Sequence, residues 1–154
     1  MVTKDNIDDV KKQRASVVDL TTYDSYRQSP EAHLIAAIHG QPIYRAVEII
    51  VKKSGLTTKQ ISKLTLIGER TVRRLKSPSY ESKVTMQPLI ALCLGLQLDY
   101  NTSIELLACI GITLIPSRDN IYIYLLRTAS SRDIYAANQI LIDNGYPHLT
   151  RSKE

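Results

Sequence analysis

The sequence has no phenylalanine and no tryptophan, and its aromatic residues are nine tyrosines. A core without Phe or Trp must be filled by Leu, Ile, Val and Ala. That suits thin helical layers better than the wide gap between the sheets of a β-sandwich. Six Gly and six Pro in 154 residues are too few for a turn-dense all-β fold, a collagen-like repeat or a low-complexity chain. Only two cysteines occur, Cys93 and Cys109, both in apolar surroundings. A disulfide scaffold is therefore not expected, and buried free thiols in a reducing cytoplasm are. The longest apolar run, from Leu89 to Leu98, is too short to cross a membrane. The opening residues MVTKDNIDDVKKQR are charged where a signal peptide needs an apolar stretch. The expectation is a soluble cytoplasmic protein without a membrane partner.

Signs of catalysis are also missing. His33, His39 and His148 are scattered and share no ligand spacing with either cysteine, so no metal site is expected. No glycine-rich phosphate loop occurs, and no serine sits in a nucleophile turn. Neither an enzyme nor a cofactor binder is expected.

What the chain does have is clustered positive charge. Its net charge is +5, yet residues 1–51 and 84–154 each sum to −1. Residues 52–83 carry nine Lys or Arg (Lys52, Lys53, Lys59, Lys63, Arg70, Arg73, Arg74, Lys76, Lys83) against Glu69 and Glu81. The whole excess thus lies in about a fifth of the chain. A concentrated positive field attracts a polyanion; a merely solvated lysine-rich face is the plainer reading of charge alone.

The hydrophobic pattern predicts an all-α fold. Residues 1–29 are polar and weakly periodic, an arm or a short helix. Ser29-Pro30 is a good helix start, with Ser as cap and Pro at the first position, and Gly40 a natural stop. Pro42 opens a helix with Ile43, Ala46, Val47, Ile50 and Val51 on one face, ended by Gly55. Thr85 caps MQPLIALCLGL, whose apolar face is Leu89, Leu92, Cys93 and Leu96. Asp99 or Asn101 caps the next helix, which ends at Gly111. The alternation in IYIYLL would suit a strand, but Ser117 as cap and Asp119 in the first turn favour a helix. Ser131 caps the last, closed by Gly145.

The informative stretch is GLTTKQISKLTLIGERTVRRLK, residues 55–76. Thr57 is a cap candidate, with Ile61 and Leu64 apolar in one short helix. Gly68 can cap a second helix, where Val72 and Leu75 face inward and Glu69, Arg70, Arg73 and Arg74 face outward. Two short helices, the second amphipathic and rich in bidentate donors, make a helix-turn-helix design. An α-helix fits the major groove, Arg matches the two acceptors of guanine, and Glu can accept from cytosine.

Here the chain resembles the phage-repressor and Cro-like helix-turn-helix proteins, the XRE family. GLT, then QIS, then ERTVRRL follow that family's pattern. SPSYESKVTMQPLIALCLGLQLDY follows its basic loop and leucine-rich helix, so the resemblance spans about residues 42–110. It implies a compact five-helix, lambda-repressor-like DNA-binding domain. Glu69, Arg70, Thr71, Arg73 and Arg74 then fall where the family reads bases and adjacent phosphates. Thr57, Thr58 and Lys59 fall where a helix start clamps a phosphate, and Ser77, Ser79 and Lys83 fall in the loop touching the far backbone. Lys76 joins Lys59 and Lys83 as a backbone contact. Two positions depart from the pattern. Leu66 stands where the family's turn has Gly, so either it takes a left-handed conformation or the turn differs. Gly68 replaces the usual Ser, Thr or Asn cap.

The expected organisation is a polar arm (1–29), a helix-turn-helix domain (30–115) and a C-terminal helical pair (116–154) for dimerisation or partner contact. The expected function is a sequence-specific double-stranded-DNA-binding transcriptional regulator, a repressor acting as a homodimer on a pseudo-palindromic operator. Tyr122, Tyr124 and Tyr135 are candidates for the dimer surface or for ordinary core packing. The alternative is a protein-interaction module (antirepressor, antitoxin or regulator subunit) that uses the same scaffold for a protein partner.

Overall fold

The computed structural model describes residues 29–150, and among them every regular element is helical. The chain divides into two compact units, Met1–Leu34 and Ile35–Glu154. Of the first, the described part is the opening of helix α1 (Pro30–Ile38). As expected, Ser29 caps it, its hydroxyl oxygen accepting from the Ala32 amide at 3.1 Å. The expected arm lies outside the described residues apart from Ser29.

The second unit continues with α2 (Ile43–Ser54), α3 (Thr58–Thr65), α4 (Glu69–Leu75), a 3-10 segment (Pro78–Lys83), α5 (Met86–Gly95), α6 (Tyr100–Ala108), α7 (Pro116–Arg127), a 3-10 turn (Ala129–Ser131) and α8 (Ile134–Asp143). The α2 helix buries the five residues its periodicity singles out and stops at Gly55, whose φ of 69° is the left-handed region that glycine enters at little cost.

The centre of this unit is α5. It packs against α3, α6, α7 and α8, so Leu89, Ile90, Ala91, Leu92, Cys93 and Leu94 are all buried. The sequence pattern suggested a single apolar face; a helix covered on several sides needs apolar residues all round. Leu96, expected on that face, is only half-buried because it lies past the helix end. Burial pushes the Cys93 thiol up to about 12, as an inert structural thiol requires. Cys109 is half-buried rather than buried, and its thiol points at the Ile38 and Glu105 carbonyls, 3.5 Å from each.

Several helix starts differ from expectation. The IYIYLL stretch is helical, but α7 begins at Pro116 rather than after a Ser117 cap. The Asp119 carboxylate reaches back to the Ile115 amide at 2.8 Å and takes the Arg118 guanidinium at 2.8 Å. That guanidinium is the main reason the Asp119 carboxyl sits below its usual range. Asp119 departs from helical φ/ψ and kinks the helix there. The cap of α8 is Asp133, not Ser131: its side chain accepts from the Ala136 amide, while the Ser131 hydroxyl donates to the Thr128 carbonyl. Thr85 is extended but makes no cap hydrogen bond, whereas Asp99, one of the two caps expected for α6, does cap it, its side chain accepting from the Thr102 amide.

Candidate nucleic-acid interface

The site is built on α3, α4 and the 3-10 segment after them. At the start of α3, Thr57 and Gln60 form a reciprocal capping box. The Thr57 hydroxyl oxygen accepts from the Gln60 amide at 3.1 Å, and the Gln60 side-chain oxygen accepts from the Thr57 amide at 2.9 Å. Sequence reading picked out Thr57 but missed Gln60, although a Thr with Gln three residues on is the signal for such a box. The amides of Thr58 and Lys59 at the first two helical positions have no carbonyl four residues back to bind and remain available to an acceptor. Lys59 is exposed and Thr58 half-buried.

The turn Leu66–Gly68 settles the question raised by the missing glycine. Leu66 adopts φ 59° and ψ 18°, the left-handed region. For a residue with a Cβ this costs roughly 1–2 kcal/mol. Four local features offset it. The Leu66 amide donates to the Ser62 carbonyl at 2.8 Å. The Ser62 hydroxyl donates to the Ile67 carbonyl. The Ile67 amide donates to the Thr65 hydroxyl at 3.2 Å. Ile67 itself is buried. At about 0.5–1.5 kcal/mol per hydrogen bond, and with a buried Ile added, the turn holds despite Leu66.

Gly68 then starts α4 without a side-chain cap. Val72 and Leu75 are buried, each 1% exposed. With 3.6 residues per turn, Arg70, Arg73 and Arg74 share a sector of about 100° on the side opposite them. All three are exposed, as is Glu69 at the edge, while Thr71 is half-buried. Among the described residues the one counter-ion on this face is Glu69, whose carboxylate lies 3.9 Å from Arg73. An exposed pair at that distance contributes little and leaves the arginine free to exchange partners. Arg70 has no hydrogen bond or ion pair among the described residues. Arg74 stands over the Tyr80 ring, 5.6 Å from its centroid.

The chain then folds back along α4 into the 3-10 segment, which packs against α2 and α4. Lys83 and Ser79 are exposed, Lys76 and Ser77 half-buried. The Ser77 and Ser79 hydroxyls are bonded to each other at 2.9 Å, so one of their two donors is used internally. The named residues therefore lie along one continuous run of elements in the order α3, turn, α4 and 3-10 segment. Lys52, Lys53 and Lys63, part of the basic run but not assigned a contact, are also exposed.

The C-terminal tyrosines separate into two kinds. Tyr122 is buried and meets Tyr146 edge to face at 5.9 Å. Tyr124 and Tyr135 are 52% and 64% exposed, on α7 and α8. Tyr124, Ile121, Ile140, Tyr146, Asn120 and Asn144 line an open groove of about 460 Å³. Among the described residues no group of three or more His, Cys, Asp or Glu is placed to hold a metal ion. No described helix is long and apolar enough to cross a membrane.

No family model matches the chain, and neither a curated protein nor a solved structure matches it.

Proposed function

We propose that the protein is a sequence-specific, double-stranded-DNA-binding regulator of the phage-repressor type, built on a lambda-repressor-like helix-turn-helix and acting as a dimeric repressor on a pseudo-palindromic operator. The observation that carries this reading is the outer face of α4, where Arg70, Arg73 and Arg74 stand together, exposed and almost without counter-ions. Three guanidinium groups on one side of a two-turn helix repel one another, and an anionic partner relieves that repulsion. Lys59, Lys76, Lys83, the amides near Thr58 and the hydroxyls of Thr57, Ser77 and Ser79 lie on the elements just before and after this helix in the chain and are assigned as phosphate contacts. Glu69, Arg70, Thr71, Arg73 and Arg74 supply the base-reading edge.

Arg70→Ala should relax the preference for a G·C pair at one operator position and cost about 1–3 kcal/mol on the preferred duplex. Binding to a scrambled duplex should change much less. Gel-shift competition between the two duplexes measures this, and an equal loss on both would remove Arg70 from the reading role.

One α4 spans only a few base pairs, so useful affinity requires two copies. The groove that includes the exposed Tyr124 is lined by uncharged side chains, with the Arg132 guanidinium over the Tyr124 ring at 5.2 Å, and such a lining can meet its own copy without repulsion between like charges. Light scattering at micromolar concentration should give a dimer, free or on DNA; a monomer in both states would eliminate it.

A further inference from the structure

We infer that Tyr80 is a specificity-determining residue that acts through Arg74, holding that guanidinium ready for a base edge; this rests on the duplex-DNA reading above. The three arginines of α4 are held in three different ways. Arg70 has no partner among the described residues, Arg73 has the Glu69 carboxylate at 3.9 Å, and Arg74 has an aromatic ring, with its Cζ 5.6 Å from the Tyr80 centroid. The difference matters chemically. A carboxylate in hydrogen-bond contact holds a guanidinium by its N–H donors, the same donors that guanine would need, although Glu69 at 3.9 Å stops short of that contact with Arg73. A ring attracts the cation through its π-face and leaves the N–H donors free. Arg74 is thus restrained without being consumed.

The backbone that carries the ring is itself anchored. The Lys76 amide donates to the Arg73 carbonyl at 3.1 Å, the Ser77 amide to the Arg74 carbonyl at 3.0 Å, and the Tyr80 amide to the Ser77 carbonyl at 3.1 Å. These bonds turn the chain back along α4, and the 3-10 segment packs on both α2 and α4. Tyr80 is half-buried there, and its backbone position is set by the fold rather than by Arg74. An arginine restrained in advance loses less freedom when it docks on a base, and the benefit appears only where the base accepts its fork. The effect is therefore on sequence preference more than on general affinity.

The test uses the full chain. A preferred duplex is first selected from a random library, and dissociation constants are then measured on it and on a scrambled duplex. The variants are Tyr80→Leu, Tyr80→Phe, Arg74→Ala and the Arg74→Ala, Tyr80→Leu pair. Tyr80→Leu should lower the preferred-to-scrambled ratio about two- to fivefold, the scale of an exposed cation–π contact. Tyr80→Phe, which keeps the ring, should match the wild type. Tyr80→Leu should add nothing once Arg74 is alanine. Three results would overturn the assignment: a Phe variant as impaired as the Leu variant, an equal loss on both duplexes, or a loss that persists without Arg74. A wild-type protein that selects no preferred duplex would overturn the DNA reading itself and this assignment with it. Tyr80→Met repeats the comparison if Tyr80→Leu melts below the assay temperature.

Discussion

Raising salt from about 50 to 200 mM should weaken duplex binding by roughly three orders of magnitude. The magnitude follows from the cations placed along α3, α4 and the 3-10 segment. On the proposed reading, Lys59, Lys76 and Lys83 would make three phosphate contacts per copy, hence six in a dimer. Each neutralised phosphate releases condensed counter-ions, and about 0.9 units of logarithmic slope per contact gives a slope near −5. Lys83→Ala should reduce that slope by about two units in the dimer while leaving base preference intact. Fluorescence anisotropy across the salt range measures both quantities. A slope shallower than about −2 would show that these lysines do not neutralise phosphates, and would favour a protein partner for the α4 face.

Gly95→Ala should destabilise the protein by about 3 kcal/mol, at the upper end of ordinary overpacking costs. Gly95 is the last residue of α5, where that helix lies against the end of α3. A Cβ there would lie 2.6 Å from the Leu64 carbonyl oxygen and 2.6 Å from Thr65 Cγ2. The first of these atoms is backbone, and the second belongs to a buried side chain whose hydroxyl already donates to the Ile61 carbonyl at 2.7 Å. Neither can move without shifting α3, and α3 carries the turn that aims α4. Thermal unfolding should therefore fall by roughly 10 °C. DNA affinity should fall with it, measured below the transition. Gly68→Ala provides the control: a Cβ at Gly68 meets nothing within 4 Å and its backbone is not left-handed. Its cost should stay below about 1 kcal/mol. Equal losses at the two glycines would show that close approach at Gly95 is not what the fold depends on.

Much of the helical framework was legible because it is written in short-range chemistry. The starts at Ser29, Thr57 and Asp99, the stop at Gly55 and the inward pair Val72 and Leu75 depend on residues three or four apart, and all stand as expected. Ser117 and Ser131 misled because both make plausible caps within their own few residues. Asp119 instead reaches back to the Ile115 amide, and the Asp133 carboxylate, directly before α8, accepts from the amide of Ala136, the third residue of that helix. Of the candidate site, residue types and outward facing were readable from α4's period, and so was the i,i+4 approach of Glu69 to Arg73. The hydrogen bonds that let Leu66 stand in a glycine position were not, since Ser62 and Thr65 carry no sign in sequence that their hydroxyls serve the turn.

The order of the helices, the clustering of positive charge between residues 52 and 83, and the amphipathic register of α2 and α4 were determined by the sequence by itself. Each depends on periodicity or composition within a few turns of chain. The covering of α5 on several sides, the closeness that demands glycine at position 95, the burial of Tyr122 against exposure of Tyr124, and the Tyr80 ring beneath Arg74 were decided only by the tertiary structure. Those features depend on which surfaces meet after the chain folds back on itself, and one-dimensional spacing does not encode the distance between two helices.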